Sequence, residues 1–173
     1  MEKLKINKSK FSFLIIGILG LISCNSCNKK ENVSEEIDET KIEIPFTKEG
    51  ELVLKNNGTE IKKLDIEVTD DESESQQGLM NRSIMPENNG MLFPFEDSKI
   101  QTFWMHNTRM SLDLIYINKD SLVVDISKNA PRMSDKTIPS DTPSQYVLEV
   151  NAGMADKWGV KENETKVSWK RTN

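Results

Sequence analysis

Cysteine is nearly absent. The 173 residues hold two, Cys24 and Cys27, both near the N-terminus, so everything beyond them folds without a disulfide even in an oxidising compartment. There is one histidine, His106, and no spacing of histidines and cysteines that would read as a zinc motif. A serine elbow, a phosphate-binding glycine loop and a dinucleotide fingerprint are also missing, so no cofactor is called for. No apolar run reaches the roughly 20 residues that a spanning helix needs. Basic charge is short too. Without the four lysines and one glutamate of residues 1–23, the 23 basic and 28 acidic residues leave a net charge near −8. Such a surface disfavours nucleic acid, whose phosphates demand a basic face.

What is present at the N-terminus has the order of an export signal. Lys3, Lys5, Lys8 and Lys10 precede "FSFLIIGILGL", Phe11 to Leu21, and small residues follow. The end of this run, "LISC", resembles the lipobox of bacterial lipoproteins, in which the chain is cut before the cysteine and that cysteine is lipidated. Residues 1–23 are thus expected to be a signal peptide and Cys24 the lipidation site; an uncleaved anchor or a buried apolar helix is the alternative. Each buried methylene contributes about 0.8 kcal/mol and a single acyl chain anchors only marginally, so the two or three chains of such lipoproteins hold a protein firmly to a membrane surface. Residues 24–41 are polar and aperiodic, the composition of a flexible tether. Cys27 would be a free thiol on it.

Residues 42–173 then form one domain with a real core. "EIPF" and "ELVLK" are short strand candidates. "EIKKLDIEVTD" alternates at Leu64, Ile66 and Val68 after the turn signal "NNG". Acids at the start of "DESESQQGLMNR" favour a short helix ending near Gly78 to Arg82. "GMLFPF", "QTFWMHNT", "SLDLIYIN", "SLVVDIS", "QYVLEVN" and "TKVSWK" read as further strands, and "AGMADKWG" as a second helix. The stretch 128–145, with Pro131, Pro139 and Pro143, reads as a long loop. About eight short strands and two short helices without βαβ alternation give a mainly β domain, a small sandwich, jelly-roll-like fold or barrel.

Five motifs fall in order: "QGLMNR" (Gln77 to Arg82), "GMLFPF" (Gly90 to Phe95), "FWMHNT" (Phe103 to Thr108), "SLDLIYIN" (Ser111 to Asn118) and "YVLEVNAGMADKWGV" (Tyr146 to Val160). Together they resemble the bacterial and archaeal family called domain of unknown function 192, over about residues 60–170. The resemblance implies a compact β fold of sandwich or jelly-roll type and carries no known reaction. It also implies that the position of His106 is commonly a lysine, which lowers the expectation that His106 is a chemical centre and leaves it as a partly exposed strand residue.

The candidate ligand-binding residues are Arg82, Trp104, Asn107, Thr108 and Asp113, polar or amphipathic side chains set inside apolar motifs. Sparse polar groups in an apolar cleft orient a small ligand or a segment of envelope polymer. A purely structural reading stands beside this one. Trp104 would fill core, Asn107 and Thr108 would satisfy a turn, and Asp113 would cap that turn or pair with Arg82. The leading expectation is a lipid-anchored, extracytoplasmic binding or accessory module without catalysis. An alternative is a hydrolase or lyase on an envelope polymer, using Asp113, Arg82 and His106. A second alternative is Cu(I) capture by Met80, Met91, Met105 and Met110.

Overall fold

The computed structural model describes residues 43–172. The expected signal peptide, Cys24, Cys27 and the tether lie outside the described residues. Nine strands and two short helices make up the described chain, and seven of the strands, β1 (Gly50–Asn56), β2 (Thr59–Val68), β3 (Asn89–Lys99), β5 (Leu112–Ile117), β6 (Val123–Ala130), β8 (Ser144–Asn151) and β9 (Thr165–Arg171), form one sheet in the order β6-β5-β8-β3-β2-β1-β9. The mainly β expectation holds. The barrel alternative does not. The edge strands β6 (Val123–Ala130) and β9 (Thr165–Arg171) approach each other through one bridge, Leu122 to Lys166, and no continuous ladder closes the sheet.

Local chemistry explains the connections. β1 (Gly50–Asn56) and β2 (Thr59–Val68) are joined by Asn57 and Gly58, with φ of 48° and 82°. Two left-handed residues twist the turn in the sense that antiparallel strands need. β2 pairs in parallel with β3 (Asn89–Lys99), so residues 69–88 must cross over between them. That crossover carries α1 (Glu72–Gln77), whose first turn is capped by the Asp71 carboxylate accepting from Glu74 N at 2.8 Å.

β5 (Leu112–Ile117) and β8 (Ser144–Asn151) are adjacent interior strands, between the edge strand β6 and β3. All six residues of β5 are buried, as expected of a strand covered on both faces. Alternation sorts its side chains. Ile115 and Ile117 join Leu52, Leu64, Ile66, Leu92 and Leu148 in one apolar cluster, which also takes Ala155 of α2 (Met154–Trp158). Leu114 and Tyr116 join Met91, Phe93 and Val147 in a second cluster on the other face, with Leu79 and Met85 of the crossover. β4 (Thr102–Met105) and β7 (Ser134–Pro139) pair as a separate two-stranded ribbon whose Met105 seals this second cluster.

Two sequence expectations are corrected. "EIPF" is not a strand; Glu43–Phe46 runs without a ladder. The supposed loop 128–145 contains the end of β6, all of β7 and the start of β8. β7 is polar, mostly exposed and paired on one side only, so it carries no burial signal, and Pro139 is tolerated at its end because an edge strand need not donate there.

Candidate functional site

The β4 ribbon strand sets the phase of the "FWMHNT" motif. Met105 is fully buried, whereas Trp104 is 47% exposed. Trp104 therefore does not fill core; its indole stacks on the His106 imidazole, with ring centroids 5.0 Å apart and planes at 24°. His106 is itself half-exposed, as expected, and its Nδ1 meets Asp135 Oδ1 of β7 at 2.5 Å. Phe103 turns the other way and packs edge-on against Phe93 (5.1 Å), Phe95 (6.2 Å) and Tyr116 (6.4 Å).

These rings floor a groove between α1 and β4. A cleft of about 450 Å³ is lined by Glu72, Ser75, Gln76, Phe93, Phe95, Gln101, Thr102, Phe103 and Trp104. It shares Glu72, Ser75, Phe95 and Gln101 with a neighbouring cleft of about 520 Å³. The second cleft adds Asp70, Asp71 and Glu96 together with Lys99; Asp70 is ion-paired with Arg171 and Asp71 caps α1. The groove is thus aromatic at its base and acidic along its rim.

Beneath Trp104 lies a pocket of about 30 Å³, walled by Gly78, Leu79, Met80, Phe93, Phe103 and Trp104 and reached by Thr108 and Glu149. Glu149 is only 4% exposed. None of the hydrogen bonds among the described residues involves its carboxyl. Burial pushes its pKa up to about 8, so the carboxyl is mainly protonated at neutral pH. A carboxyl without a protein partner, held neutral at the edge of a groove, is what a prepared recognition or proton-transfer group looks like.

Of the residues expected from sequence, Trp104 and Thr108 converge on this pocket. Thr108 Oγ1 donates to His106 O at 3.2 Å, the turn-satisfying bond anticipated for it. Asn107 is exposed and left-handed, with φ of 50°, and its carbonyl accepts from Asn81 N at 2.9 Å. Arg82 follows in the same loop pair, but its guanidinium leaves for another cleft of about 260 Å³, where Nη1 meets Glu67 Oε2 at 2.5 Å. Glu67 Oε1 there accepts from Thr47 N at 2.8 Å, and Glu49 Oε2 from Val68 N at 2.7 Å. Both acids already have donors and no aromatic ring lines that cleft, which makes it the weaker candidate.

Asp113 is fully buried and meets neither Arg82 nor the 107–110 turn. Its Oδ1 accepts from Asn129 N and its Oδ2 from Ala155 N, both at 3.0 Å. The second bond caps α2, whose own N-cap residue, Gly153, has no side chain to do so. In the β5–β8 register Asp113 stands opposite Val150, and Leu114 opposite Glu149. Residues opposite each other share a face, so Asp113 and Glu149 point to different faces of the sheet. Asp113, Arg82 and His106 thus hold three separate partners, Ala155, Glu67 and Asp135. Met91, Met105 and Met110 are buried in the second apolar cluster, and among the described residues no group of His, Cys, Asp or Glu is arranged to hold a metal.

Glu149 is not among the residues expected from sequence. Its signal was available: one acid interrupts "YVLEVN" as Asp113 interrupts "SLDLIYI".

Comparison with known proteins agrees with this β architecture. No curated protein matches the chain. A Novosphingobium aromaticivorans structure of unknown function is 30% identical, with a TM-score of 0.65 over 69% of this chain and 84% of that one. A Sinorhizobium meliloti 1021 structure, described as a "putative transcription regulator", is 34% identical, with a TM-score of 0.66 over 74% of this chain and 98% of that one. The family model of domain of unknown function 192, described as "Uncharacterized ACR", matches residues 52–169, and the chain belongs to that family.

Proposed function

We propose that this protein is an exported binding module without catalysis of its own, held on the membrane surface by a lipid on Cys24. Its ligand is an extended, basic peptide segment of an envelope partner, which lies in the groove between α1 and β4. The observation that carries this is the exposed indole of Trp104 above an aromatic floor whose rim bears Glu72 and Glu96, with the Arg171-paired Asp70 and the helix-capping Asp71 beside them. Aromatic faces give apolar side chains contact area. Gln76, Ser75 and Thr102 offer polar groups to a peptide backbone, and the acids select positive charge. The same acidic rim opposes a phosphate backbone, so the regulator description of the Sinorhizobium relative is not carried over.

Two experiments test the reading. Pentalysine binding to the full chain in detergent, followed by fluorescence anisotropy, should weaken at least tenfold in Trp104→Ala. Equal binding by pentaglutamate, tighter binding of free spermidine, or no binding of pentalysine overturns the groove assignment. Cys24→Ala should release the protein from the membrane fraction, and retention of this variant there overturns the anchor.

A further inference from the structure

Beside the groove, under Trp104, lies a smaller pocket with one acid at its edge. With a volume of about 30 Å³ it is the smallest of the clefts described above. A compact ammonium head suits so narrow a pocket better than a broad planar guanidinium does. Its lining includes three aromatic rings, Phe93, Phe103 and Trp104, a residue type whose ring face attracts a cation. Glu149 is nine-tenths buried and has no hydrogen-bond partner among the described residues, although buried polar groups are ordinarily paired. The pocket opens beside the groove, because Ser75, Gln76, Phe93, Phe103 and Trp104 line both.

We propose that the Glu149 pocket is a lysine subsite: the ammonium end of one ligand lysine enters beneath Trp104 and pairs with the Glu149 carboxylate. This rests on the groove reading and deepens it by naming the group selected. The four-carbon stem of lysine runs along the phenyl rings, as such stems do on apolar surface. Proton balance follows from the state of the free site. Burial holds Glu149 protonated with a pKa of about 8, so pairing with an ammonium expels one proton to the buffer. Across the pocket, α1 contributes Ser75, Gln76 and Gln77, which do not titrate. Glu72 of α1 and His106 beside Trp104 lie on the groove side, and Tyr116 is the titratable neighbour on β5.

Anisotropy titrations of the full chain with labelled pentalysine and pentaarginine at pH 6 and pH 8 test this. With a site pKa of about 8, removing the competing proton tightens pentalysine binding by about fifty-fold between those pH values. Glu149→Gln abolishes that gain and weakens binding at pH 8, and pentaarginine lacks the gain in the unmodified protein. His106→Gln keeps it, which separates Glu149 from the histidine. If pentaarginine shows the same gain, or Glu149→Gln retains it, the subsite is wrong while the groove reading stands. If neither peptide binds, the groove reading fails; n-butylamine then serves as the minimal ammonium probe, and equal binding of n-butylamine at pH 8 to the unmodified protein and Glu149→Gln overturns the subsite on its own.

Discussion

Replacing Glu149 by glutamine should reveal its burial as a pH-dependent gain in stability. An ordinary glutamate carboxyl titrates near 4.5, and burial in the fold pushes this one up to about 8. A raised carboxyl pKa means that the folded chain binds more protons than the unfolded chain between these values. Stability therefore falls as pH rises through that window and is flat above it. Each tenfold change in the proton equilibrium corresponds to about 1.4 kcal/mol, so the whole window is worth about 5 kcal/mol. Glutamine has nearly the same shape and no ionisation. Urea unfolding of both proteins at pH 4, 6, 8 and 9 isolates the contribution, because every other titrating group cancels in the difference. The two should be closely matched near pH 4. The variant should then gain on the parent by more than about 1 kcal/mol per pH unit up to pH 8 and level off. A difference independent of pH would mean that Glu149 is solvated in the folded protein, and the reasoning would be refuted.

Three further outcomes follow from the same contacts. Asp113→Ala should cost about 2–4 kcal/mol in urea unfolding, because it strands the buried N–H groups of Asn129 and Ala155, and Asp113→Asn should cost less because its amide oxygen still accepts one of them. Arg82→Ala should cost about 3–5 kcal/mol by leaving the Glu67 carboxylate buried without its cation, and Arg82→Met combined with Glu67→Leu should recover most of that in a double-mutant cycle. Trp104→Ala should change stability by only about 0.5 kcal/mol, since the indole is half-exposed, while removing the stacking that holds His106. A loss of several kcal/mol for Trp104→Ala would return the residue to the core.

How much of this is legible in the sequence depends on what kind of signal each element leaves. β5 is plain because "LDLIYI" is buried on both faces and reads as an apolar run. α1 is plain because Asp71, Glu72 and Glu74 mark its start. β7 leaves no such trace: it is polar, mostly exposed and ends in a proline, and only its pairing with β4 makes it a strand. The phase of β4 is another matter. Period two says that Trp104 and Met105 face opposite ways, but which of them faces the sheet is decided by where the ribbon sits. The two interrupting acids illustrate the same limit at the site. Asp113 and Glu149 look alike in sequence, each a single acid in an apolar strand. Pairing opposite Val150 sends Asp113 to the face where the α2 backbone satisfies it, and pairing opposite Leu114 sends Glu149 to the face covered by rings and thioethers. No periodicity encodes that difference, because it arises from what crosses over each face.

The most direct measurement is the titration of the Glu149 side-chain carboxyl by carbon NMR in selectively glutamate-labelled protein, alone and with n-butylamine. The predicted result is a midpoint near 8 for the free protein, moved to clearly lower pH in the presence of n-butylamine. A midpoint in the ordinary carboxyl range, unmoved by n-butylamine, would contradict both the buried neutral acid and the lysine subsite built on it.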